Sequence, residues 1–160
     1  MFLQAQPVRL NPTHMPSPIS NFFIKTIVNS PLNFLLGDSF AVITVAGHKN
    51  GRRFSTPINV KRQGDTWNVI SMRSRTWWRN LRGGAVAQLR VGGKQVTAHG
   101  EIIETPTDVA AGLAEYFRQY PGYAKYFDLH ISADGQPDPR ELERVANERI
   151  IIHLRPEQTA

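Results

Sequence analysis

The sequence predicts a mainly β domain, an antiparallel barrel or roll of six strands with helices added late. Three observations carry this. Short β-branched runs are joined by tight, glycine-rich turns, helical patterns follow these hairpins instead of alternating with them, and a last apolar run returns near the end of the chain. With 160 residues the chain is the size of one domain with room for a core. It has no cysteine, which excludes a disulfide framework or a thiolate-held metal and suits a reducing cytoplasm. A formal charge of +6 favours an anionic partner, without choosing among nucleic acid, membrane surface and phosphorylated small molecule.

Residues 1–18 read as a Pro-rich arm without the features of a secretory signal. Residues 21–36 are the most apolar stretch, yet Lys25, Asn29, Pro31 and Asn33 interrupt it, so it is too short and broken to span a bilayer. Ser20 as N-cap and Gly37 as stop make it a helix that covers the core or, alternatively, touches a membrane surface. The domain proper is taken as 19–155, with 156–160 a tail.

Residues 39–46 form the first strand. The turn GHKNG follows, where Gly47 and the pair Asn50–Gly51 supply hairpin chemistry. Residues 53–62 run back, and a second turn at 63–66 leads into 67–72, giving a three-stranded meander. Pro57 removes a ladder donor, which places the second strand at an edge or bulge. One or two helical turns at 77–82 are bounded by Thr76 and by Gly83–Gly84. Residues 86–91 and 95–104 form a second hairpin. A helix then starts at Thr107 or Asp108 and stops at Pro121–Gly122, followed by a short helical piece at 123–127. Asp138, Pro139 and Glu141 supply an N-cap, a first-turn proline and a capping-box glutamate for a helix to about Asn147. The unbroken apolar run at 149–154 suits a strand buried on both faces.

Three groups of residues point to chemistry. Lys49, Arg52 and Arg53 lie within five residues without a nearby carboxylate, and Arg73 and Arg75 follow the third strand. Neighbouring strands can bring these cations to one rim as an anion cradle. Trp77 and Trp78 point about 100° apart on a helix, so at most one faces the core squarely while the other borders a groove. Tyr116, Tyr120, Tyr123 and Tyr126 are the only tyrosines of the chain, and a phenol can hydrogen-bond or donate a proton from an apolar wall. The five histidines show no ligand spacing, so no metal is expected, and neither a nucleophile elbow, a P-loop nor a dinucleotide fingerprint is present. Cations and aromatics fall on helices and rims instead of along one sheet face, which argues against nucleic acid as the partner.

The segments AGHKNGRRFSTPI, VISMRS, TWWRNLRGG and YPGYAKYF resemble the deazaflavin-dependent nitroreductase family over about residues 20–155. That resemblance implies a six-stranded, FMN-binding-like split β-barrel related to pyridoxamine-phosphate oxidases. It implies coenzyme F-420, a deazaflavin, as hydride carrier to a small nitro, quinone or enone acceptor. Lys49 with Arg52 or Arg53 would hold the anionic tail, Thr56 and Pro57 would line the ring, and Ser71, Met72 and Arg73 match the segment after the third strand. Trp77 and Asn80 match W-x-x-N-L, with Trp78 beside them. Tyr120, Tyr123 and Tyr126 match a pattern bordering the acceptor pocket and, with Ser71, are the candidate catalytic residues. His48 and Asn50 stand where the family usually has arginine and serine or threonine. FMN or haem on the same barrel is the alternative. A monomer or homodimer fits either reading.

Overall fold

The computed structural model describes residues 39–158. The arm at 1–18 and the helix at 21–36, with its membrane contact, lie outside the described residues. Within them the meander begins with β1 (Phe40–Ala46) and β2 (Arg53–Asn59), paired so that Val42 faces Pro57 and Ala46 faces Arg53. The predicted strand 53–62 is not continuous. It breaks at Val60, whose N–H donates to the Ser39 carbonyl at 3.0 Å, and resumes as β3 (Lys61–Gln63), which pairs with β4 (Thr66–Met72). Seven strands therefore replace the six expected, because one run of sequence changes pairing partner in mid-course.

That break shapes the molecule. With β5 (Val86–Val91), β6 (Lys94–Ile103) and β7 (Arg149–Pro156), the sheet runs in the order β2-β1-β5-β6-β7-β4-β3, every neighbouring pair antiparallel. Laid flat, its two edges would stand about 29 Å apart, six spacings of about 4.8 Å. Yet β2 and β3 are those edges and a single residue joins them, so the sheet must curl into a half-barrel. Pro57 lies on edge strand β2, where its missing donor removes no ladder bond on the open side.

Side chains alternate across the curled sheet. Ile43, Val45, Leu89, Ile150, Ile152 and Leu154 point inward with Trp77, Trp78 and Leu81 to form the barrel core. The three last come from a 3₁₀ segment, Trp77–Leu81, where a short α-helix is predicted, and Thr76 makes no side-chain cap. Outside the barrel, α1 (Pro106–Gln119) buries Val109, Leu113 and Phe117, four residues apart on one face. They meet Val145 and Ala146 of α2 (Pro139–Glu148) over Ile151. Strand β7 is therefore buried on both faces, as its apolar run requires.

Asp138 caps α2 by accepting from the N–H groups of Arg140 and Glu141, each at 3.0 Å. Glu141 does not complete the predicted capping box. Its carboxylate instead takes the N–H and Nδ1 of His130 at 2.6 and 2.7 Å, while the Asp138 N–H goes to the His130 carbonyl. A second 3₁₀ segment, Pro121–Phe127, carries the last tyrosines.

Candidate active site

Beyond the short β3–β4 ladder, β2 and β4 separate, leaving a seam between two strand edges. A chamber of about 260 Å³ opens there, walled by Pro57 and Ile58 on one side and by Val69, Ser71 and Met72 on the other. Ser71 pairs across β7 with Ile150, shares the inward face with Val69, and is 95% buried. Its Oγ has no hydrogen-bond partner among the described residues. A buried hydroxyl without a partner costs about 1–3 kcal/mol, so its place on the wall of a chamber suits a ligand that would satisfy it. Arg75 and Arg149 add positive charge.

A second chamber of about 480 Å³ adjoins the first and shares Phe40, Asn59, Ile70 and Arg149 with it. Tyr116 of α1 and Tyr123 and Tyr126 of the second 3₁₀ segment wall it, together with Lys61 and Phe127. The tyrosines form a connected aromatic set. Tyr116 lies 5.2 Å from Tyr120 and 6.1 Å from Tyr123, and Tyr123 lies 6.0 Å from Tyr126. The Lys61 ammonium sits over the rings of Tyr120 and Tyr123 at 4.6 and 5.2 Å. Burial, with Tyr123 and Tyr120 adding to it, pushes the Tyr116 phenol up to about 12. Of the large apolar side chains exposed among the described residues, Phe40, Met72, Tyr123 and Tyr126 all border these two chambers. Such clustering marks a binding groove.

Arg149 belongs to both chambers. Its guanidinium lies 5.1 Å from the Phe127 ring, and its buried Nε has no hydrogen-bond partner among the described residues. Burial pulls its pKa below the ordinary arginine value; Glu148 opposes this and Arg144 adds to it.

The structure sorts the candidates named above. Pro57, Ser71 and Met72 line the first chamber, and Tyr123 and Tyr126 line the second; Tyr120 stacks behind Tyr123 without lining it. Thr56 shares the inward face with Ile43 and lines neither chamber. Strand alternation puts it on the face opposite Pro57. Trp77 and Trp78 are both buried in the barrel core, at 4% and 1% exposure, and neither borders the groove. The segment packs against both β1 and β6, so side chains that leave it in different directions are buried alike.

Arg73 is engaged elsewhere than in the anion cradle expected of it with Lys49, Arg52, Arg53 and Arg75. Its guanidinium donates to the carbonyls of Glu104, Ala146, Asn147 and Arg149, which ties the end of α2 to β6 and β7. Asn80 is a brace: its Oδ1 accepts from the His48 N–H at 3.2 Å and its Nδ2 donates to the Trp77 carbonyl at 3.1 Å. It thereby joins the 47–51 turn to the 3₁₀ segment. Lys49 and Arg52 are exposed on that turn and outside both chambers, and Arg53 lines a separate outward cavity with Arg90. Sequence reasoning missed Arg149 and Lys61. The signals were an arginine opening an otherwise apolar strand and a lysine just past the point where the second strand breaks.

Among the described residues no group of His, Asp or Glu side chains could hold a metal ion, and no helix is long and apolar enough to cross a membrane. The chain matches no protein-family model and no curated protein. It is similar in structure to protein Atu2129 from Agrobacterium tumefaciens, itself of unknown function, with TM-score 0.51, 16% identity and 92% of this chain covered; this chain spans 59% of that one's length. It is also similar to a putative pyridoxamine 5'-phosphate oxidase from Listeria innocua, with TM-score 0.50, 13% identity, and 85% and 94% of the two chains covered. An F-420 reductase matches at TM-score 0.44 and 15% identity over 80% of this chain and 92% of that one. The first two likenesses show the fold alone, a curled antiparallel half-barrel consistent with a split barrel.

Proposed function

We propose that the protein is an oxidoreductase in which reduced deazaflavin coenzyme F-420 delivers hydride to a small organic acceptor of the nitro, quinone or enone type. The observation that carries this reading is the pair of adjoining chambers with a shared wall of Phe40, Asn59, Ile70 and Arg149. A donor in one and an acceptor in the other would be held side by side, as direct transfer requires. The residues present fit the coenzyme. The seam offers the unpartnered Ser71 hydroxyl and the apolar walls of Pro57 and Met72 to a flat ring. Lys49 and Arg52 have no ion pair among the described residues, which suits an anionic tail.

When bound, the reduced coenzyme supplies the hydride. The chain's own residues would orient and shield. Ser71 would hold a polar edge of the ring, and Phe40 and Ile70 would keep water from the shared wall. Burial keeps the Tyr116 phenol protonated, so it would serve as a hydrogen-bond donor. Tyr123 and Tyr126 are exposed and within reach of water, so they could pass a proton to the reduced acceptor.

Titrating the protein into the coenzyme should quench or shift its fluorescence with micromolar or tighter affinity. Ser71→Ala should weaken binding about fivefold, the worth of one neutral hydrogen bond, and Lys49→Ala should weaken it through the tail. Absence of any binding ends this reading. A flavin or Soret spectrum in the protein as purified would replace it with FMN or haem.

A further inference from the structure

The tyrosine-walled chamber has a charge pattern that hydride transfer alone does not call for. Arg149 and Lys61 both line it, and no described carboxylate does. The carboxylate nearest Arg149 in the chain, Glu148, is paired with Arg144 at 3.7 Å and lies outside the lining. Residues 1–38 contribute only one carboxylate, Asp38, against Arg9 and Lys25. The Arg149 side chain makes no hydrogen bond among the described residues, and its Nε is buried. A half-buried guanidinium has lost water that no hydrogen bond among the described residues replaces, so an anion reaching it would restore those bonds at short range. The same walls carry aromatic rings, which favour a flat ligand.

We infer that this chamber selects a planar aromatic acceptor bearing an anionic group such as a carboxylate, held by Arg149 and Lys61 with the ring against the tyrosines. The inference rests on the reading of the chamber as an acceptor site. It goes further by naming the acceptor's charge. It also separates two anion subsites: the exposed cations of the 47–53 turn would serve the coenzyme tail, and the partly buried pair at the tyrosines would serve the acceptor.

The test is equilibrium binding of 4-nitrobenzoate and of its neutral isostere 4-nitrobenzamide to the full chain without coenzyme, followed by calorimetry. The benzoate should bind at least about tenfold tighter, the scale of a charge-assisted hydrogen bond. Arg149→Met should abolish the preference, and Lys61→Met should reduce it. Lys61 opens the short edge strand β3, so its variant tests the inference even if Arg149→Met fails to fold. Equal affinities in the unmodified protein, or a preference that survives Lys61→Met combined with Arg149→Met, would overturn it. So would Arg149→Met weakening coenzyme binding as much as benzoate binding, since the arginine would then serve the coenzyme. A benzoate preference without coenzyme binding keeps this inference and removes the deazaflavin reading.

Discussion

Two histidines act on stability with opposite signs. Burial pushes the His153 pKa below the usual value; Glu101 opposes this and Arg155 adds to it. Folding thus favours the neutral ring. The stability it contributes is present above the unfolded value of about 6.5 and is lost as pH falls through the lower folded value. His130 is the reverse, because its hydrogen bond to Glu141, helped by the charge of that carboxylate, raises its pKa. Its contribution is present below about 6.5 and disappears as pH rises through the folded value. Between about pH 7.5 and 5.5, the urea midpoint of His153→Gln should fall less than that of the unmodified protein, and that of His130→Gln should fall more. Equal falls in all three would show that neither ring is perturbed in the fold.

At the level of elements, two glycines mark where a helix or turn lies against a strand. A Cβ at Gly100 on β6 would stand 2.9 Å from the Leu81 Cβ and 3.0 Å from its Cδ1. Leu81 is fully buried in the 3₁₀ segment and cannot retreat without moving Trp77 and Trp78. A Cβ at Gly112 on α1 would meet only the Cδ1 of Ile151, at 2.6 Å, a methyl that can rotate away. Gly100→Ala should therefore cost about 1–3 kcal/mol as overpacking. Gly112→Ala should stay near neutral, since alanine regains up to about 1 kcal/mol of helix propensity. Thermal or urea denaturation distinguishes the two, and equal losses would contradict this packing.

For the whole molecule, the separation of two anion subsites has an ionic-strength signature. Lys49 and Arg52 are exposed, whereas Arg149 is half-buried and Lys61 is covered by two tyrosine rings. Screening reaches exposed charges first. Raising salt from about 20 to about 200 mM shortens the Debye length from about 20 Å to below 10 Å. Coenzyme affinity should fall severalfold over that range while 4-nitrobenzoate affinity changes little. Parallel losses would place both anions on the same exposed cations.

The sequence by itself determined the antiparallel class, the turns, and the helix capped by Asp138 and Pro139, while α1 begins at Pro106, just ahead of the start expected at Thr107 or Asp108. It also determined the doubly buried last strand, because these follow from local geometry and from apolar runs read over a few residues. Through the resemblance to a family pattern it also named Ser71, Pro57, Met72, Tyr123 and Tyr126, which the structure places on the walls of the two chambers. Only the tertiary structure decided that the second strand splits at Val60 and that Thr56 turns inward while Pro57 turns outward. It alone decided that both tryptophans fill the core, that Arg73 closes α2, and that Arg149 stands half-buried between two chambers. Each of these depends on which distant backbone comes alongside, a property of sheet closure that no short stretch of residues encodes alone.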